Sequence, residues 1–197
     1  MKSENFETIA VRTQAERSGF REHSAPIYMT SSFMFEDAEQ ARALFADEIE
    51  GNIYSRFSNP NTTEFIQKIC KLEGAEDGIA TASGMSAIFT SMMPFLSSGD
   101  HIIVSRSVFG STHQIVTQIL PRWGIEYTYV DILDTAGWEK AFRKNTKMVF
   151  VETPSNPALD MIDLAWLSGL CKSHNVLLNV DNCFATPYLQ KPISFGA

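Results

Sequence analysis

The sequence predicts an α/β domain: a mostly parallel sheet with helices on both faces. Three observations predict it. Short apolar runs alternate with helix-length segments through the last two thirds of the chain. The runs are mostly apolar on both sides, as strands covered by helices on each face must be. Polar or glycine-bearing turns follow the runs, where open parallel sheets bind their ligands.

Taken in order, residues 4–18 suit a short helix with Phe6, Ile9 and Ala10 on one face. A loop containing Pro26 follows, then an extended stretch at 31–35. The alanine-rich stretch 36–48 favours helix, and 51–61 carries loop-forming breakers. We read 1–59 as an arm or subdomain and 60–197 as the main domain. Pro60 fits a first helical position and Gly74 the residue beyond a helix end. Between them Phe65, Ile66, Ile69 and Cys70 recur at helical spacing. Strands are expected at 79–82, 101–105, 126–130, 148–152 and 176–180. Helices are expected at 85–96, 111–123, 135–145 and 163–175. A connection with Pro187 and Pro192 leads to Ala197 without a helix stop or charged tail, which reads as truncation.

The composition is that of a globular protein: 197 residues, 44% apolar and 20% charged. The net charge of -7 is spread among interleaved signs. No basic stripe points to nucleic acid, and no apolar window approaches a membrane span. The polar N-terminus is unlike a secretory signal. Cys70, Cys171 and Cys183 are an odd set without metal-ligand spacing, and the expectation is a reducing cytoplasm. His23, His101 and His174 are scattered, so no metal site is expected.

The chemistry sits in the turns. Ser83-Gly84-Met85-Ser86 leads from an expected strand into a helix. It is either an ordinary turn or an anion site made of backbone N–H groups and the helix dipole. Neither a dinucleotide fingerprint nor a P-loop is present. Asp181 ends the last strand; it either caps the next segment or pairs with a cationic group. Phe109 is a core aromatic or a stacking face. Arg56 is a solvated loop arginine or, with Tyr54, a phosphate ligand. His113 and Cys183 have no partner at a suitable spacing, so both are held as structural or as lining a site.

Four stretches carry a resemblance. They are Tyr54-Ser55-Arg56-Phe57-Ser58-Asn59-Pro60, Ala82-Ser83-Gly84-Met85-Ser86-Ala87, Glu152-Thr153-Pro154-Ser155-Asn156-Pro157 and Val180-Asp181-Asn182-Cys183-Phe184-Ala185-Thr186-Pro187. Together, in this order, they resemble the Cys/Met-metabolism enzymes that depend on pyridoxal 5'-phosphate (PLP). The turn Ser107-Val108-Phe109-Gly110-Ser111-Thr112, with Asn182-Cys183-Phe184, looks most like the O-succinylhomoserine sulfhydrylase branch.

The resemblance implies the large domain of fold-type-I PLP enzymes, here incomplete at its C-terminal side. Gly84 and Met85 would give backbone N–H groups to the cofactor phosphate, with Ser83 beside them. Asp181 would bind the pyridine nitrogen, Phe109 would stack on the ring, and Cys183 would line the site. Asn156 would meet the ring hydroxyl side and the substrate, with Glu152 close by. Tyr54 and Arg56 would reach the phosphate of a neighbouring subunit, Tyr54 also meeting substrate, in a homodimer or homotetramer with shared sites. Many members have tyrosine at Phe109, so this chain keeps the ring and loses the hydroxyl. The Schiff-base lysine of the family would fall after Ala197, so no catalytic residue is assigned and the chain alone is expected to be inactive. Two family strands beyond Ala197 would insert between 79–82 and 176–180, and the isolated chain is expected to aggregate or stay partly molten. The implied reaction makes homocysteine from O-succinylhomoserine, or O-acetylhomoserine, and hydrosulfide. The alternatives are cystathionine γ-synthase, cystathionine γ-lyase or methionine γ-lyase activity on the same scaffold, and a non-catalytic fragment or assembly partner.

Overall fold

The computed structural model describes residues 5–13 and 17–197. By internal contact the chain divides into two compact units, with the break after Ala80.

The first unit holds α1 (Phe6–Arg12), α2 (Ala38–Phe45) and α3 (Pro60–Glu73). The flanks of the helix expected at 4–18 fall partly outside the described residues. Asp37 caps α2 by accepting the Gln40 N–H at 2.8 Å. Asn59 caps α3, Pro60 opens it, and Gly74 closes it at φ 80°, where a side chain would be strained. The two asparagines at this helix start also hold the preceding loop. Asn61 accepts the Tyr28 N–H at 2.8 Å, and Asn59 donates to the Tyr28 carbonyl at 3.0 Å. The extended stretch at 31–35 pairs with the loop at 53–55: Ser32 and Tyr54 form an antiparallel bridge.

The second unit is built on a four-stranded parallel sheet of β1 (His101–Ser105), β2 (Glu126–Val130), β3 (Thr146–Glu152) and β4 (Leu177–Asp181), in the order β2-β1-β3-β4. The helices are α4 (Gly84–Met92), α5 (Gly110–Gln114), α6 (Thr135–Ala141), α7 (Leu164–Ser173), α8 (Thr186–Leu189) and α9 (Pro192–Phe195). Alternation along the central strands makes two cores. Ile103, Val149 and Val151 face Trp138, Leu164, Leu167 and Cys171. Ile102, Val104, Met148 and Phe150 face Met92, Leu96, Val116 and Leu120. Each large side chain buried this way contributes roughly 1.5–3 kcal/mol, so β1 and β3 are the best-anchored elements of the unit. Burial also pushes the Cys171 thiol up to about 12.

The expected strand at 79–82 does not form. Ile79 is 88% exposed, and the sheet ends at β2 and β4 without a ladder to this segment. A β-prone run becomes a strand only where a neighbour supplies the hydrogen bonds. Prolines trim two expected helices. Pro121 has no N–H to donate, and α5 continues as a π turn (Ile115–Ile119) and a 3-10 turn (Leu120–Trp123) rather than as one α-helix. Similarly α4 gives way at Met93–Phe95 to a 3-10 turn containing Pro94. In the connection with Pro187 and Pro192 each proline sits in the first turn of a short helix, α8 or α9, and Gly196 closes α9 at φ 103°, a helix stop that was not expected there.

No helix among the described residues is long and apolar enough to cross a membrane.

Candidate cofactor site

The carboxyl edge of the sheet gathers three loops, those after β1, β3 and β4. Glu152, the last residue of β3, is only 5% exposed. One of its oxygens accepts the Phe109 N–H at 2.6 Å, and the other accepts the Asn156 N–H at 2.8 Å. Burial raises its pKa above the ordinary carboxylate value and the nearby Asp181 charge adds to the rise, while the two backbone donors oppose it. Glu152 and Asp181 are register partners across β3 and β4. One Asp181 oxygen accepts the Cys183 N–H at 3.0 Å, a local turn rather than the helix cap foreseen, since α8 is preceded by Ala185 without a side-chain cap. Its second oxygen has no described hydrogen-bond partner.

The loop after β4 is tied to β3 by residues that sequence reasoning did not single out. The Gln190 side-chain amide donates to the Thr153 carbonyl at 2.8 Å and to Asn182 at 2.9 Å; Asn182 donates to the Gln190 carbonyl at 2.8 Å. Ser107, Ser155 and Asp160 form a second polar cluster between the loops after β1 and β3. The serines lie inside turns already marked as polar. Asp160 carried no signal, because its partner Ser107 is 53 residues away.

Ser83 caps α4: its hydroxyl accepts the Ser86 N–H at 3.2 Å. The Gly84 and Met85 N–H groups lie in the first turn, where helix geometry gives no internal acceptor. Gly84 is exposed, and a Cβ built on it would meet nothing within 4 Å, so the start of this helix has open space beside it. The last turn of α4 is fixed to the sheet by Asn179, which donates to the Ser91 hydroxyl at 2.9 Å.

Phe109 is 41% exposed, as a stacking surface requires and a core aromatic does not. The thiol-bearing Cys183 is exposed. His113 does have a partner. Its ring stacks on Tyr129 with centroids 5.5 Å apart, and Nδ1 lies 2.9 Å from the phenol oxygen. Burial pushes the Tyr129 phenol up to about 12. Tyr54 and Arg56 belong to the first unit, where the Arg56 guanidinium lies 5.0 Å above the Tyr54 ring. Arg56 makes no ion pair among the described residues.

These groups fit PLP in three respects. An open helix start with two free N–H groups suits a phosphate. A strand-end carboxylate with one uncommitted oxygen suits a protonated ring nitrogen, and an exposed aromatic face suits a planar ring. Among the described residues no group of three or more His, Cys, Asp or Glu side chains is placed to hold a metal ion.

A parallel sheet with these groups at its carboxyl edge defines the large domain of a fold-type-I PLP protein. The chain belongs to the Cys/Met metabolism PLP-dependent enzyme family, which it matches over residues 7–197. It is 48% identical to an O-succinylhomoserine sulfhydrylase of Pseudomonas aeruginosa over 98% of this chain and 48% of that protein. It is 41% identical to an L-methionine gamma-lyase of Fusobacterium nucleatum over 100% of this chain and 50% of that one. Among solved structures, one from Campylobacter jejuni described as an O-acetylhomoserine (thiol)-lyase superposes with a TM-score of 0.93 at 36% identity, covering 99% of this chain and 48% of that one. That structure carries a pyridoxyl-lysine phosphate. The chain spans about half the length of the curated relatives it matches.

Proposed function

We propose that the protein containing this chain is a homoserine-ester sulfhydrylase. It would replace the γ-acyloxy group of O-succinylhomoserine, or O-acetylhomoserine, with the sulfur of hydrosulfide, giving homocysteine and releasing succinate or acetate. The observation that carries the proposal is the Phe109 turn locked to Glu152 opposite Asp181, on a chain 48% identical to a sulfhydrylase of that kind.

PLP, when bound, supplies the electron sink for proton removal and loss of the γ-substituent. The residues here supply binding and orientation. The Gly84 and Met85 N–H groups, with Ser83 beside them, hold the phosphate. The free oxygen of Asp181 keeps a proton on the ring nitrogen. Phe109 covers one ring face and Cys183 lines the pocket. The side-chain amide of Asn156 meets the ring hydroxyl and the substrate, and Glu152 fixes both Phe109 and Asn156 through their backbones. Tyr54 and Arg56, from the 1–59 arm, act across a dimer on the phosphate and substrate of the partner's site, within a homodimer or homotetramer in the cytoplasm. Residues 60–197 form the PLP-binding part. The anchoring lysine lies outside this chain in the proposal, and the 197 residues alone are inactive.

The test is an assay of the full-length protein with succinyl- and acetyl-homoserine, offering hydrosulfide or cysteine. Homocysteine as the main product supports the proposal. Faster cystathionine formation from cysteine would make the enzyme a γ-synthase. The similarity to a methionine gamma-lyase supports a second reading, γ-elimination, whose mark is methanethiol release from methionine as the main activity.

A further inference from the structure

Two carboxylates, not one, connect the loop after β1 to the loop after β3. Glu152 joins them at the Phe109 and Asn156 amides. Asp160 joins them again, by side chains: its Oδ2 accepts the Ser107 hydroxyl at 2.9 Å and the Ser155 hydroxyl at 3.4 Å. The Asp160 N–H donates back to the Ser155 hydroxyl at 3.0 Å, and the Ser155 N–H donates to the Asp160 carbonyl at 3.0 Å. The donor count is consistent: each serine gives its one proton to the carboxylate, and the Ser155 oxygen accepts one in return.

The anchors on both sides are buried. Ser155 is 1% exposed. Ser105, at the fully buried end of β1, accepts the Ser107 N–H at 3.1 Å. Residues 107–109 are therefore held at both ends. Asp160 holds the side chain of Ser107, and Glu152 holds the amide of Phe109. Hydrogen bonds to a carboxylate are about twice as strong as neutral ones, so either link alone is a substantial restraint. Two of them two residues apart fix the backbone from which the Phe109 ring projects.

We infer that Asp160 is a positioning residue, which acts through Ser107 to set the attitude of the exposed Phe109 ring relative to Asn156. The inference rests on the proposal that Phe109 stacks on PLP. It adds a residue that touches neither cofactor nor substrate.

The experiment compares Asp160→Ala, Asp160→Asn, Ser107→Ala and the double variant Asp160→Ala/Ser107→Ala in full-length protein. Hydrogen exchange of residues 106–110 is measured without PLP, and the visible circular dichroism of bound PLP reports ring orientation. Asp160→Ala and Ser107→Ala should each speed exchange in this segment about tenfold, the size of one such hydrogen bond, and the double variant should go no further. Asp160→Asn keeps an acceptor for the Ser107 hydroxyl, so it should stay within about twofold of the unsubstituted protein. The PLP dichroism should fall in Asp160→Ala and return in Asp160→Asn. Unchanged exchange, equal damage from Asn and Ala, additive single variants, or unaltered dichroism in Asp160→Ala would each overturn the inference. If the unsubstituted protein binds no PLP, the cofactor proposal fails. The inference about Phe109 on its cofactor falls with it, and the exchange data still decide the Asp160–Ser107 link.

Discussion

The Glu152 carboxylate accepts the Phe109 amide at 2.6 Å across 43 residues of sequence, and with its other oxygen it accepts the Asn156 amide at 2.8 Å. The charge is costly to bury, as its raised pKa records. It persists because each oxygen faces a backbone donor, which no neutral side chain of the same shape could satisfy twice.

Glu152→Gln tests that balance. The amide keeps one acceptor oxygen and turns an NH2 group toward the other backbone N–H, leaving it unpaired. Relief of the buried charge works in the opposite direction. One orphaned buried donor costs about 1–3 kcal/mol, and we expect this to win, lowering the denaturant midpoint with an unchanged slope. Glu152→Ala, which orphans both donors, should be worse. A glutamine variant as stable as the parent would mean that desolvation cancels the bonds.

Asp181→Ala should abolish turnover of the full-length enzyme while leaving it folded. The carboxylate is what would favour the protonated ring nitrogen, and without it the electron sink weakens. Turnover and far-ultraviolet dichroism check the two halves of this expectation. An active, folded Asp181→Ala enzyme would remove the residue from the proposed site.

Arg56→Ala should loosen PLP retention without unfolding the first unit, because the guanidinium stacks on Tyr54 and Phe57 and holds no ion pair there among the described residues. If it acts across a dimer, mixing inactive Arg56→Ala and inactive Asp181→Ala subunits should regenerate some intact sites. Activity that stays at baseline in verified mixed dimers would place both residues in the same subunit's site.

The strands at 101–105 and 126–130 were legible to the residue because their β-prone runs are bounded by turn residues and the two pair in parallel. The run at 79–82 looks the same locally and is not a strand, since pairing is non-local and no pattern within four residues reports it. The site divides in the same way. Ser83, Asp181 and Glu152 sit at element ends, which periodicity locates. Asp160, Gln190 and the Tyr129 partner of His113 act through side chains meeting over long sequence separations, and spacing does not encode those meetings.

His101 offers the sharpest pH prediction, at the opposite end of β1 from the cofactor site. It is fully buried, with Nδ1 2.8 Å from the Thr146 hydroxyl and Nε2 2.9 Å from the Thr128 hydroxyl, so one imidazole joins β1 to both neighbours. Arg143 completes the network: its backbone N–H donates to the Thr146 hydroxyl at 2.8 Å, and its guanidinium donates to the Thr128 hydroxyl at 2.9 Å and to Glu126 at 2.8 Å. Burial holds the ring neutral and the Arg143 charge reinforces this, with Glu126 opposing, so its pKa is lowered from 6.5 to about 4. In the unfolded chain the ring protonates at its ordinary value. As pH falls below about 6.5 the unfolded state therefore takes up a proton that the folded state refuses, and stability drains away until about pH 4. The loss should be on the order of 2–3 kcal/mol across that window. Urea unfolding at pH 7.5 and pH 5 measures it, with His101→Gln as the control. The variant should be less stable at pH 7.5, where it lacks the ring's contacts, and should lose less on acidification. An equal acid slope in both proteins would show that His101 titrates normally in the fold and that other groups set the dependence.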